Sequence, residues 1–173
     1  IYQDGQFDDS RLAINLAQTA VEKGACVLNY TKVVKLLKDS QNQVTGVQVK
    51  NQETQELFDL KGKAIINATG VFTNSIMKLN DTVYKKYIVP SQGIHLVFDK
   101  SFLPTDHALM IPKTSDGRVL FAVPWHNKIV VGTTDTLIKS HSLEPIALEK
   151  EIDFVLETAQ RFLAKKPTRA DVL

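Results

Sequence analysis

With 173 residues, 43% hydrophobic and 23% charged, the chain has the size and composition of one large globular domain or two small ones. Twenty-one Lys and Arg against nineteen Asp and Glu leave a net charge of +2. That balance, with no basic run interleaved with aromatics, argues against a nucleic-acid partner. No apolar run approaches the roughly 18 residues that cross a bilayer, and no signal-peptide pattern is present. Cys26 is the one cysteine, which excludes an internal disulfide and a Cys-x-x-Cys metal site. It lies in Ala25-Cys26-Val27-Leu28, read as an apolar strand that buries an inert thiol. A reducing, cytoplasmic compartment is expected. The first residue is not Met and both ends stop in mid-pattern, so the expectation is an internal piece of a longer polypeptide.

Residues 1–7 read as a short strand. Asp8-Asp9-Ser10 then offers an N-cap and negative charge to a helix over residues 11–23. Leu12, Leu16 and Ala20, with Ala13, Ala17 and Val21, form its apolar stripe. Gly24 is placed to stop it, and residues 25–29 form the next strand, completing a βαβ unit. Residues 31–38, 44–49 and 56–60 read as three strands joined by polar turns, a β-meander solvated on one face. Lys63-Ala64-Ile65-Ile66-Asn67-Ala68-Thr69-Gly70 reads as a buried strand re-entering a parallel sheet. It ends in a Thr-Gly turn, with a helix over 71–80. Backbone N–H groups at such a turn can receive a phosphate; an ordinary strand-to-helix connection has the same pattern.

Beyond Asn80 the chain becomes short, β-branched and punctuated by Pro and Gly. Residues 87–90, 93–98, 108–112, 119–124 and 128–132 are five candidate strands of an antiparallel sheet. Ser115-Asp116-Gly117-Arg118 and Trp125-His126-Asn127-Lys128 supply hairpin turns. A closing helix over 148–164 presents Ile152, Val155, Leu156, Ala159, Phe162 and Leu163 on one face, and Pro167 stops it. The expected fold is therefore α/β plus antiparallel β. A partial Rossmann-like portion with a meander (1–80) joins an antiparallel sheet (81–147), followed by a helix and chain end (148–173).

No Gly-x-Gly-x-x-Gly, P-loop, His-Glu-x-x-His or Gly-x-Ser-x-Gly occurs. His107, His126 and His141 fall in polar turns and are expected to be solvated. His95 sits inside a strand, on the face opposite Ile94 and Leu96; it serves either structure or chemistry. Gly132-Thr133-Thr134-Asp135 places two hydroxyls and a carboxylate after a strand, either as a capped turn or as a ligand edge.

Four segments in order resemble one family. They are Tyr2-Gln3-Asp4-Gly5 through Asp8-Asp9-Ser10-Arg11-Leu12; Ile66-Asn67-Ala68-Thr69-Gly70; Gln92-Gly93-Ile94-His95-Leu96-Val97; and Phe121-Ala122-Val123-Pro124-Trp125 followed by Gly132-Thr133-Thr134-Asp135. The family is the FAD-dependent glycerol-3-phosphate dehydrogenases of the D-amino-acid-oxidase-like flavoprotein superfamily. The resemblance implies oxidation of sn-glycerol 3-phosphate to dihydroxyacetone phosphate, with electrons passing through FAD to quinone at the inner face of the cytoplasmic membrane, or to oxygen in the family's oxidases. It also implies that Val33 meets the adenine. Ala68, Thr69 and Gly70 would lie along the pyrophosphate and ribityl chain. His95 would serve as a base or hydrogen-bond partner for the C2 hydroxyl, and Thr134 and Asp135 would stand on the substrate side.

The family's Gly-rich FAD loop and its later phosphate-binding arginines do not appear. Arg11, Arg118, Arg161 and Arg169 are the only arginines, and none stands where a preorganised clamp for a phosphate dianion would be expected. The chain by itself is therefore expected to be inactive and to bind neither FAD nor substrate tightly. Two other readings remain at this point: an amino-acid or sarcosine-type oxidase of the same superfamily, and a non-catalytic binding domain.

Overall fold

In the computed structural model, residues 3–81 and 83–173 are described. The chain divides into two compact units. One takes the chain up to Ala68 and again from Ser75 to Tyr84; the other takes Thr69–Asn74 and Lys85–Leu173.

The first unit begins with helix α1 (Asp9–Glu22). Asp8 caps it by accepting the Arg11 N–H at 3.0 Å, and Asp9 adds negative charge to the first turn. Its end is a Schellman motif: Gly24, at φ +88, donates to the Val21 carbonyl, and Ala25 donates to that of Ala20. Strands β1 (Thr31–Lys38), β2 (Val44–Asn51) and β3 (Leu57–Lys61) form an antiparallel meander in the order β1-β2-β3. The Lys38 ammonium donates to the Asn80 carbonyl, a cation at the C-terminus of helix α2 (Thr73–Asn80).

Several expectations change here. Residues 1–2 lie outside the described residues, and 3–7, 25–29 and 63–69 form no strands. A strand exists only where a partner supplies a ladder, and none pairs with these segments among the described residues. Ile66, expected to be buried, is 87% exposed, and Cys26 is exposed rather than buried. The stripe on α1 is present as spacing, yet no residue of that helix is buried.

The second unit is built on a four-stranded antiparallel sheet in the order β5-β8-β7-β6. The strands are β5 (His95–Asp99), β6 (Leu109–Ile111), β7 (Leu120–Trp125) and β8 (Lys128–Gly132). A two-residue turn joins β7 to β8, with His126 at φ 44 and Asn127 at φ 60, matching the twist of a tight hairpin. Helix α3 (Glu149–Ala159) covers one face of the sheet. Leu96, Phe98, Leu120, Ile129 and Val131 of the sheet pack with Val155, Leu156 and Ala159 of the helix. Burying each large side chain contributes about 1.5–3 kcal/mol. The helix stops short of the expected residue 164. After it, Gln160 donates to the Pro167 carbonyl, and the chain end adds a Leu173 N–H to the Val97 carbonyl.

Residues 87–90 are not a strand. The Asn74 side chain takes the place of a ladder: its amide donates to the Ile88 carbonyl at 2.7 Å, and its oxygen accepts from Tyr87 N–H and Ile88 N–H. Two short strands that sequence reading did not anticipate, β4 (Ser91–Gln92) and β9 (Thr136–Leu137), pair just beyond. His141 is half-buried and sits edge-on to Phe72, with ring centroids 4.7 Å apart. The elements together are mixed α/β with antiparallel sheets, in keeping with the expected fold class.

Candidate functional site

The second unit brings Gln92-Gly93-Ile94-His95 and Gly132-Thr133-Thr134-Asp135 side by side. They are flanked by the β4–β9 pairs on one side and by His95 opposite Gly132 at the start of β5–β8 on the other. Between these two ladders, Gly93 and Ile94 face Thr133 and Thr134 without regular pairing. The Gly132–Thr133 peptide is cis.

Glycine permits this approach. A β-carbon on Gly93 would stand 2.3 Å from the Thr134 carbonyl oxygen and 2.6 Å from Thr133 Oγ1. One on Gly132 would stand 2.7 Å from His95 Cδ2. The His95 ring therefore lies over a position that only hydrogen can occupy. Alternation along β5 buries Leu96 and Phe98 and leaves His95 exposed on the opposite face.

Thr134 replaces the missing ladder bond. Its hydroxyl accepts the Ile94 N–H at 3.0 Å and donates to Glu151 Oε1 at 3.1 Å. Glu151, at the third position of α3, is 2% exposed. Its Oε2 accepts from Gln92 Nε2 at 2.9 Å and from the Leu148 N–H at 2.9 Å, and the Thr136 side chain also bonds to it. Burial pushes this carboxyl up, but the bonds from Leu148, Thr136, Gln92 and Thr134 outweigh burial and hold it below its ordinary value.

Nearby, Arg118 pairs with Asp116 through Nη2 and Nε and lies 5.4 Å from the centroid of the Phe154 ring; Asp135 and Glu151 add electrostatic attraction. Hydrogen bonds from Arg118 and then Thr114 hold the Asp116 carboxyl down at about 2. Arg169 is engaged by Glu149 and Asp153. An open cavity of about 350 Å³, lined by Lys113, Thr114, Ser115, Thr158, Arg161 and Phe162, lies at the other end of α3 and includes none of His95, Thr134, Asp135 and Glu151.

Of the residues marked by sequence, His95, Thr134 and Asp135 thus share one edge of the second unit. Thr69 and Gly70 belong to the same unit, with Gly70 at φ +54 opening the 3-10 turn Gly70–Phe72; Val33, on β1, and Ala68 belong to the first unit. Sequence reading missed Asn74 and Glu151. The run Glu149-Lys150-Glu151 looks like a solvated helix start, and Leu148 before it lacks the hydroxyl that would mark a capping box. No group of His, Cys, Asp and Glu suited to a metal occurs among the described residues, and no helix there is long and apolar enough to cross a membrane.

Comparison with known proteins bears on this arrangement. Over its full length the chain is 36% identical to the protein named mitochondrial glycerol-3-phosphate dehydrogenase in Schizosaccharomyces pombe, and 41% identical to one so named in Arabidopsis thaliana. It spans 28% of the length of each. A crystal structure described as the glycerol-3-phosphate dehydrogenase from Bacillus halodurans complexed with FAD matches 96% of this chain and 34% of its own, with a TM-score of 0.89 and 33% identity. The family described as FAD dependent oxidoreductase matches residues 1–173. The chain belongs to that family of FAD-dependent oxidoreductases.

Proposed function

We propose that this chain is part of an enzyme that oxidises sn-glycerol 3-phosphate to dihydroxyacetone phosphate, using FAD. The observation that carries the reading is the union of Gln92-Gly93-Ile94-His95 with Gly132-Thr133-Thr134-Asp135, which leaves the His95 imidazole exposed over Gly132. The relatives named above bear the name of this activity.

Two features fit a bound dinucleotide. Gly70 has a positive φ and open space where a β-carbon would stand, so backbone can approach a ligand there. Among the described residues strand β1 is an edge strand, which leaves backbone groups along it without ladder partners there. Val33 is assigned to the adenine end of FAD, and Ala68, Thr69 and Gly70 to its pyrophosphate and ribityl chain. Residues 1–80 are assigned to the FAD-binding portion, 81–147 to the substrate sheet and 148–173 to its closing helix.

When bound, FAD supplies the acceptor for the hydride that leaves C2. The His95 imidazole takes the proton of the C2 hydroxyl as the carbon–oxygen bond becomes a carbonyl. Asp135 borders the substrate, whereas Thr134, buried with its hydroxyl engaged by Ile94 and Glu151, stands behind it rather than on the substrate side expected from sequence. Arg118 and Arg169 already pair with carboxylates, and the cationic clamp for the phosphate is assigned to another part of the full enzyme. Quinone is the proposed final acceptor, with peripheral association at the cytoplasmic face of a membrane.

The test uses the full-length enzyme. Glycerol 3-phosphate should bleach the flavin, whereas glycerol and D-amino acids should not. His95→Ala should slow flavin reduction more than it weakens substrate binding. Bleaching by a D-amino acid instead would move the reaction to another substrate class, and unchanged reduction in His95→Ala would remove His95 from the chemistry. The 173-residue chain alone should show no stoichiometric quenching of flavin fluorescence at micromolar concentration.

A further inference from the structure

Glu151 is buried and charged and lies outside the two segments that meet at His95, yet it joins them. Water is nearly excluded from it, and burying a carboxylate without compensation is costly. Among the described residues its direct partners are neutral donors: the Leu148 N–H, Gln92 Nε2 and the Thr134 hydroxyl, with the Thr136 side chain acting in the same sense. Capping α3 requires only the first. The other three come from the two segments that meet at His95. Gln92 lies three residues before His95, and Thr134 holds the N–H of Ile94, the residue next to it.

Each of these partners donates, so the group that receives them must be acceptor-only, which an ionised carboxylate is and an amide is not. The chain of contacts runs Glu151 to the Thr134 hydroxyl to the Ile94 amide to the backbone of His95. On the other side it runs Glu151 to Gln92, at the register where Gln92 pairs with Thr136. A shift of Thr134 would release Ile94, the residue that carries the backbone into His95, and the imidazole itself rests over Gly132.

We propose that Glu151 is a positioning residue for the oxidation. Its carboxylate locks the 92–95 and 133–136 segments together and so sets the place of the His95 imidazole, without touching substrate itself. This rests on the assignment of His95 to the reaction. The prediction concerns rate rather than affinity, because a misplaced base slows proton removal while the phosphate contacts persist.

The test is a double-mutant cycle in the full-length, FAD-loaded enzyme, read by stopped-flow flavin reduction. Glu151→Gln keeps the volume but turns an NH₂ toward donors. It should slow reduction about ten- to a hundred-fold while the substrate dissociation constant changes less than the rate. Introduced into His95→Ala, it should cause almost no further loss, since the group it positions is gone. An equal loss in both backgrounds, or a loss confined to affinity, overturns the proposal. If Glu151→Gln fails to retain flavin, Thr134→Val cuts the same path at its hydroxyl and is read by the same cycle. A rate unaffected by His95→Ala is a different result: it refutes the role of His95, and the positioning role falls with it.

Discussion

The imidazole of His95 rests on Gly132: a β-carbon on Gly132 would come within 2.7 Å of His95 Cδ2 and 2.6 Å of the Ile94 carbonyl oxygen. Gly132→Ala must therefore move the ring, the strand or both. Overpacking of this kind costs about 1–3 kcal/mol. In the full-length enzyme the variant should melt at lower temperature and reduce flavin more slowly; an unchanged rate and melting point would mean that the seat is softer than its contacts imply.

The two units should respond differently to truncation of apolar side chains. Leu120 is fully buried under α3, and Leu120→Ala should cost about 2–5 kcal/mol. Leu16, on α1, is 62% exposed, so Leu16→Ala should stay within about 0.5 kcal/mol. Urea unfolding of the 173-residue chain distinguishes the two, and a comparable loss for Leu16→Ala would require a packed partner for α1.

Asp116 sets an acid limit on the turn between β6 and β7. Hydrogen bonds from Arg118 and Thr114 lower its carboxyl from an ordinary 3.8 to about 2. A depressed folded-state value adds stability that is fully present above the unfolded value and is lost as pH falls toward 2. Glu151 is shifted in the same direction from 4.5, so both favour the folded state above about pH 4.5. Carbon-13 NMR should show Asp116 titrating near 2, and Arg118→Gln should raise that midpoint. A midpoint that stays put would assign the shift to Thr114 instead.

Asn74 makes three hydrogen bonds to residues 87–88. Asn74→Ala leaves those backbone groups without them, at a cost of about 1–3 kcal/mol. Amide exchange at Tyr87 and Ile88 should accelerate well before exchange in β7 and β8. Uniform acceleration across the sheet would instead place Asn74 in the global unfolding unit.

Where local rules suffice, the sequence is a sound guide to this chain. Asp8 caps α1, Gly24 ends it, the meander strands fall where their alternation puts them, and His126-Asn127 makes the hairpin. Reading fails where an element needs a partner supplied from elsewhere. Residues 25–29 and 63–69 have the apolar composition of strands, but composition cannot supply a ladder. The same limit hides Glu151: three successive residues, Glu149, Lys150 and Glu151, look alike in sequence, and only the tertiary fold turns the third inward. The pairing of His95 with the Gly-Thr-Thr-Asp segment was legible as two motifs, but not as the hydroxyl bridge through Thr134 that joins them.

The grip of Asn74 on residues 87–88 also determines where this chain can tolerate a change in length. Residues 75–86 form an excursion with both ends fixed at that contact. Each doubling of a flexible loop adds only about 0.6 kcal/mol of closure entropy. An insertion between Lys85 and Lys86 is therefore cheap and leaves the Asn74 contact in place. One residue added between His95 and Leu96 would instead bring both side chains to the same face of β5, so that one of them loses its place. One side-chain amide thus marks off a stretch that can change length from a strand whose count must stay fixed.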